Sequence, residues 1–522
     1  MRKSLLLCAA AIGPLMSGAT AAAAQAPGVS EEDMSACAAL NGYRPDSWTT
    51  VTRATFVTPP FSASERSKPL SKPICRVEGV SRPEPGSEIT FEVWLPARNG
   101  WNGRFQGIGG GGNSGAIIYE SNAAGIERGL RAAAEAGFAA VSTDNGHRLK
   151  SESDQSWAIH QPQKVVDMGF RAIHVTTVAG KDITRTFYGR EIDYSYWIGC
   201  SQGGGKGIMN AQRWPSDYNG IIAGAPVFQW TRAMAGITAA ALAQMKSPKT
   251  IIPASKRALV HNAVIEQCDK LDGLKDGILS RPDKCSFDVK TIECKSGDAA
   301  DCLTPAQGEA LMQSYAGARR KNGEQLTDGY ALGAEHGWPF LGQDAPGQNW
   351  GKFWSEVVFE DQSHDLLKSL QLERDYDYAM KKLGWAYDAQ NPDLSPFKRA
   401  GGKLMVFHGE ADPLISPRPS NEYFEAVTGV LGSETVAGFY QYYLVPSMNH
   451  CRGGIGPSNF NLLPAMQAWV EKGVRPANLT ASQVVDGQVT RTRPLCAYPT
   501  VAHYNGAGDV NKAESFSCKP RD

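Results

Sequence analysis

The chain has no long run of like charges and, beyond its first residues, no apolar run of about twenty. It therefore offers no second membrane-spanning segment and no basic stripe for nucleic acid or anionic lipid. Lys+Arg and Asp+Glu both count 53, for a formal net charge of +0. That balance points to small, uncharged partners or to polymers met at a chain end. Cys-x-x-Cys is missing, and Cys and His do not cluster at ligand spacing except in His450-Cys451. Neighbouring residues rarely hold one tetrahedral ion, so a zinc site is disfavoured. There is no internal repeat and no low-complexity tract after the N-terminus.

What is present begins with Arg2-Lys3, the apolar run Leu5 to Met16, and an Ala-rich stretch ending Ala24-Gln25-Ala26. This has the three parts of a secretory signal peptide, expected over residues 1–26 with cleavage after Ala24 or Ala26. Of 11 cysteines, Cys8 leaves with the signal, and an even set remains. An even set in an exported chain reads as disulfides, in a secreted or periplasmic protein.

At 522 residues the chain can build one large domain with an insertion. Residues 27 to 90 are turn-rich, with Pro59-Pro60, Pro69, Pro73, Pro83 and Pro85, and read as an extension stapled by Cys37 and Cys75. The regular core is expected from Ile89, where Thr90 to Leu95 alternates as a strand. Helix and strand then alternate, which implies an α/β fold with a parallel sheet. Between about Phe228 and Arg399 the alternation stops, while aromatics accumulate: Trp230, Trp338, Phe340, Trp350, Phe353 and Trp354. Residues 228–398 are therefore expected to form a lid inserted between two parts of a catalytic domain, 27–227 and 399–522.

The chemistry concentrates at Gly199-Cys200-Ser201-Gln202-Gly203, which follows the apolar strand Tyr194 to Ile198 and precedes a helix over Lys206 to Arg213. Gly-x-Ser-x-Gly in this context is the nucleophile elbow of an α/β-hydrolase. A serine needs a base and an acid that orients the base. Asp412 lies just past the strand Lys403 to Phe407, and His450 past the strand Phe439 to Val445. The order Ser, Asp, His is that of the α/β-hydrolases. Glu410 is the alternative acid, though its ordinary reading is a surface residue. His147, His174 and His408 read as structural. Two N–H donors must await the oxyanion: the amide of Gln202, and one from the glycine run Gly109 to Asn113.

The cysteine spacings propose Cys268 with Cys285, Cys294 with Cys302, Cys496 with Cys518 and Cys37 with Cys75, which leaves Cys200 with Cys451. That last bridge would limit how far His450 drifts from Ser201. Asp269 to Ile278 packs three carboxylates and two glycines into an oxygen-rich loop. Such a loop suits Ca²⁺, but Asp-Gly pairs are also ordinary turn formers, and the residues alone leave both readings open.

Together these residues resemble the tannase and feruloyl esterase family, whose mark is a Cys-Ser, Asp, His-Cys constellation bridged by a disulfide. The likeness also takes in Trp101-Asn102-Gly103-Arg104-Phe105, Ala211-Gln212-Arg213-Trp214-Pro215, Gly224-Ala225-Pro226 and Arg493-Pro494-Leu495-Cys496. It implies an α/β-hydrolase core with a large inserted lid, Ser201, Asp412 and His450 as triad, and the amides of Gly112 and Gln202 as oxyanion hole. It further implies a structural Ca²⁺ held by Asp269, Asp272 and Asp276 with the carbonyls of Leu274 and Ile278. The expected activity is hydrolysis of feruloyl, hydroxycinnamoyl or galloyl esters, aromatic esters of small size.

The family also includes a bacterial mono(2-hydroxyethyl) terephthalate hydrolase, in which an arginine of the lid holds the substrate carboxylate. Leu341 to Leu372 contains no arginine; Lys352 and Lys368 are its fixed cations, and Arg374 lies just beyond. A terephthalate monoester is therefore the alternative substrate. The alternative of another class is a polyphenol- or carbohydrate-binding protein with a vestigial site. Oligomeric state has no signature in the sequence.

Overall fold

The computed structural model describes residues 29–65, 67–151, 154–338 and 351–521. The expected signal peptide over 1–26, and Phe340 and Trp350 of the lid, lie outside the described residues.

A nine-stranded sheet organises the chain, in the spatial order β1 (Thr49–Val57), β2 (Ile74–Ser81), β3 (Ile89–Pro96), β7 (Ala139–Thr143), β4 (Arg104–Ile108), β8 (Tyr194–Cys200), β9 (Gly220–Gly224), β10 (Lys403–Gly409) and β11 (Tyr440–Val445). β5 (Ser121–Ala123) and β6 (Ile126–Arg128) form a small separate hairpin. From β7 across to β11 every pair is parallel, whereas β1, β2, β3 and β7 pair antiparallel. The sheet is thus mixed rather than parallel, and it starts at Thr49 rather than Ile89. Pro59, Pro60, Pro69 and Pro73 all fall in the β1–β2 connection and hide two strands that the β-branched run Thr49 to Thr52 announces.

Period-two alternation gives the sheet two apolar faces. Phe105, Val141, Trp197, Ile221 and Val406 point to one side, where Ile183 and Phe187 of helix Ala172–Tyr188 cover them. Tyr196, Ile222, Met405 and Phe407 point to the other, under Leu130 and Ala134 of helix Leu130–Glu135 and Met466 and Trp469 of helix Leu463–Lys472. The result is the three-layer sandwich of an α/β-hydrolase.

Among the described residues, none from Trp230 to Arg399 enters this sheet. The segment builds its own core, in which Trp230, Trp338, Phe353 and Trp354 are buried. Ala411 and Ile415 from the loop after β10 belong to that same core. A Cβ added to Gly337 would lie 2.6 Å from Pro413 Cγ. The inserted segment therefore rests directly on the loop that carries Asp412.

All five expected disulfides form: Cys37–Cys75, Cys200–Cys451, Cys268–Cys285, Cys294–Cys302 and Cys496–Cys518. They fit a chain that matures in an oxidising compartment. Among the described residues, no helix is long and apolar enough to cross a membrane.

Candidate active site

Ser201 sits between β8 and helix Gln202–Arg213 with φ 61° and ψ −126°. A positive φ is costly for a residue with a Cβ and persists only where the surroundings impose it. Here the imposition is the tight strand-to-helix turn. A Cβ on Gly199 would lie 2.2 Å from the Gly203 carbonyl oxygen, and one on Gly203 would lie 2.4 Å from that of Gly110. Only glycine lets these three backbones meet.

The glycine run follows β4 and passes the serine: a Cβ on Gly111 would be 3.9 Å from Ser201 Cβ, and Gly112 has φ +57°. Gln202 opens the helix, so its N–H has no intrahelical acceptor. Its side chain is buried and held from both ends, by the Ser114 hydroxyl on Oε1 and by the Met168 sulfur, 3.1 Å from Nε2.

The loops after β10 and β11 bring Asp412 and His450, the expected acid and base, together. His450 Nδ1 lies 2.6 Å from Asp412 Oδ2. A carboxylate can only accept, so Nδ1 carries the proton and the neutral ring presents its lone pair at Nε2. That Nε2 is buried and has no hydrogen-bond partner. Asp412 is fully buried, and its Oδ1 accepts from the amides of Leu414 at 2.9 Å and Ile415 at 2.8 Å. Burial would raise its pKa, but the imidazoles of His450 and His408 hold it well below the ordinary carboxylate range. The Cys200–Cys451 bridge, with Cα atoms 6.1 Å apart, ties the residue before the serine to the residue after the histidine.

His408 has a larger part than its sequence position suggested. Its Nε2 hydrogen-bonds the Ile415 carbonyl at 3.1 Å and stands 3.3 Å from Asp412 Oδ2, which helps seat that carboxylate. Its spacing of four from Asp412 was the available signal. His147 hydrogen-bonds the Asn113 carbonyl at 2.9 Å and stacks on Trp157, with burial pushing its pKa down to about 4. His174 pairs with Asp217 at 2.8 Å. Glu410 is not a surface residue: it is buried and bound by Arg521 from the C-terminal tail, a contact no local pattern foretells. Burial raises its pKa to about 7 despite the Arg521 charge.

Among the described residues, no three His, Cys, Asp or Glu side chains converge closely enough to hold a metal. In the acidic loop each carboxylate folds back on a backbone amide, Asp269 on Gly277, Asp272 on Leu274 and Asp276 on Ile278, at 2.9 to 3.0 Å. Asp276 also meets Arg493 at 2.5 Å. Two features nonetheless suit a hard cation. Asp269 Oδ1 is buried without a partner, and Asp272, Leu274, Asp276 and Ile278 line one cavity of about 30 Å³. Burial, followed by neighbouring carboxylates, raises both Asp269 and Asp272.

The sequence profile described as "Tannase and feruloyl esterase" matches residues 75–519. The chain belongs to that family. The esterase is 32% identical to a probable feruloyl esterase B-2 of Aspergillus fumigatus over 87% of its length and 88% of the relative. It is 31% identical to the mono(2-hydroxyethyl) terephthalate hydrolase of Piscinibacter sakaiensis, over 85% and 84% of the two chains. The crystal structure of feruloyl esterase B from Aspergillus oryzae superposes with a TM-score of 0.83 at 28% identity, covering 93% of this chain and all of that one. The esterase is thus a carboxylic ester hydrolase of the feruloyl esterase and tannase type, on an α/β-hydrolase fold.

Proposed function

We propose that this is a secreted serine esterase that hydrolyses esters of aromatic carboxylic acids, feruloyl and other hydroxycinnamoyl or galloyl esters, through an acyl-enzyme. The supporting observation is the oriented pair Asp412–His450, with the unpartnered Nε2 on a segment bridged to the nucleophile turn.

Ser201 Oγ attacks the ester carbonyl while His450 Nε2 takes its proton, and Asp412 stabilises the imidazolium. The charge that develops on the carbonyl oxygen meets the N–H groups of Gln202 and Gly112. His450 then returns the proton to the departing alcohol. Water, deprotonated by the same nitrogen, releases the acid and restores Ser201. Ca²⁺ held by Asp269, Asp272 and Asp276 with the carbonyls of Leu274 and Ile278 would brace this loop, whose Asp276 also pairs with Arg493, a structural task.

The relative from Piscinibacter sakaiensis supports a terephthalate monoester as second reading. Against it, Arg374 is half exposed and already paired with Asp375 at 2.6 Å, and Lys368 pairs with Asp365 at 2.9 Å. Residues 341–350 lie outside the described residues.

Initial rates on methyl ferulate, methyl gallate, chlorogenate and a terephthalate monoester test both readings at once. Wild type is expected to favour the first three, and Ser201→Ala to lose about 10⁴-fold or more of the rate. A Ser201→Ala variant as fast as wild type refutes the mechanism. Binding of these esters without any hydrolysis by wild type points instead to a binding protein.

A further inference from the structure

Behind the nucleophile turn lies a second pocket that the reaction does not use. It has a volume of about 190 Å³ and is lined by Ala132, Ala133, Ile222, Phe407, Phe460 and Leu462. It opens between the sheet face and helix Leu130–Glu135, and neither Ser201, Asp412 nor His450 lines it. An apolar cavity of roughly 150 Å³ is enough to take up benzene. The polar side chains at its wall are Gln106, Glu127, Arg128 and Asn461.

Arg128 is the unusual one. Its Nη1 donates to the Gly109 carbonyl at 2.7 Å, while its Nε is buried and unpartnered. Among the described residues no carboxylate lies in ion-pair range of it, and the charge that acts on it is another cation, Arg452. Glu127 does not neutralise it, because that carboxylate is taken by Lys68 and Arg131. Burial first, and then Arg452, push the Arg128 pKa down to about 10, so it stays charged at neutral pH. A guanidinium whose Nε is buried, with no counter-ion among the described residues, is unfavourable unless something compensates it.

We infer that this pocket binds a small aromatic carboxylate, its carboxylate on the Arg128 guanidinium and its ring between the helix and the sheet, and that binding slows turnover from outside the cleft. The choice of an aromatic acid rests on the proposed reaction, which releases one. The coupling follows from Gly109: a carboxylate that draws Arg128 away frees the carbonyl at the head of the glycine run that passes Ser201. Arg128 acts here as a positioning residue.

Sodium benzoate is the probe, with benzamide as the uncharged match and sodium chloride holding ionic strength constant. Calorimetry should show benzoate binding to wild type at least about tenfold more tightly than benzamide, and no benzoate heat from this site with Arg128→Met. With methyl ferulate as substrate, benzoate should lower kcat about fivefold at saturation, an effect that raising the ester does not relieve. Ala132→Leu fills the pocket from the helix and should keep the uninhibited kcat within about twofold while losing that inhibition.

Purely competitive inhibition, benzamide binding as tight as benzoate, or unchanged benzoate binding in both Arg128→Met and Ala132→Leu overturns the inference. Binding of benzoate at Arg128 by a chain that hydrolyses no aromatic ester would refute the substrate reading and keep the anion site.

Discussion

Removing the Cys200–Cys451 bridge separates its two effects. The bridge closes a loop of 251 residues, against 8 to 38 for the other four. Chain entropy assigns a loop of that length about 5.5 kcal/mol, compared with about 2.5 kcal/mol for the shortest, as upper bounds on stability. The kinetic effect arises from position rather than length. Cys200 precedes Ser201 and Cys451 follows His450, so without the bridge the base is held only by Asp412 and its own loop. A displacement of about 1 Å between reacting groups costs on the order of 10²-fold in rate. Cys200→Ala/Cys451→Ala is therefore expected to lose about 10- to 100-fold in kcat with little change in KM, since the substrate is held by other residues. The assay is steady-state hydrolysis of methyl ferulate, alongside guanidinium denaturation to confirm that the variant remains folded during turnover. A folded double variant with wild-type kcat would refute the reasoning, whatever its stability.

Asp412→Asn should lower kcat by about 10⁴-fold, because an amide can donate to Nδ1 and stabilise the wrong tautomer; a loss below tenfold in the same assay would remove Asp412 from the triad. A chelator should lower the melting temperature by about 5 °C or more, with recovery on adding Ca²⁺ and no response in Asp269→Ala. An unchanged melting temperature after proven metal removal counts against the site. His147 titrates near 6.5 when unfolded and at about 4 in the fold. The unfolded state thus binds more protons between those values, and stability falls as pH drops from 6.5 to 4, by up to about 1.4 kcal/mol per pH unit. Denaturant midpoints across that range should show a shallower fall for His147→Gln. Glu410 has the opposite sign: its folded pKa is about 7, raised from 4.5 by burial. The stability of its protonated form is complete below pH 4.5 and is lost as pH rises through 7. Glu410→Gln should flatten that loss in the same measurement.

The expected constellation could be read from the sequence because each of its parts is local. The turn Gly199 to Gly203 carries its own backbone requirement, and the Asp412 and His450 loops each follow an apolar strand whose period shows in the residues. The five cysteine pairs were legible because four close short loops and the fifth flanks the two reacting groups. The first strands were not legible, since β1 and β2 are joined by a proline-rich connection that imitates an extension. Glu410 was misplaced for a different reason. Its burial depends on Arg521, 111 residues away, and no window of sequence contains both.

By itself the sequence determined the family and the α/β-hydrolase core, and it proposed Ser201, Asp412 and His450, in that order, as serine, acid and base. These follow from contacts between near neighbours, which leave a local imprint in glycine, cysteine and apolar periodicity. The tertiary structure alone decided that the sheet is mixed, that the core of the inserted segment takes in Ala411 and Ile415 from the Asp412 loop, and that His408 stands beside Asp412. It alone showed Arg128, with no ion pair among the described residues, beside an apolar pocket. Each of these depends on what long-range packing puts next to a residue, and burial or charge compensation has no value until that neighbour is in place.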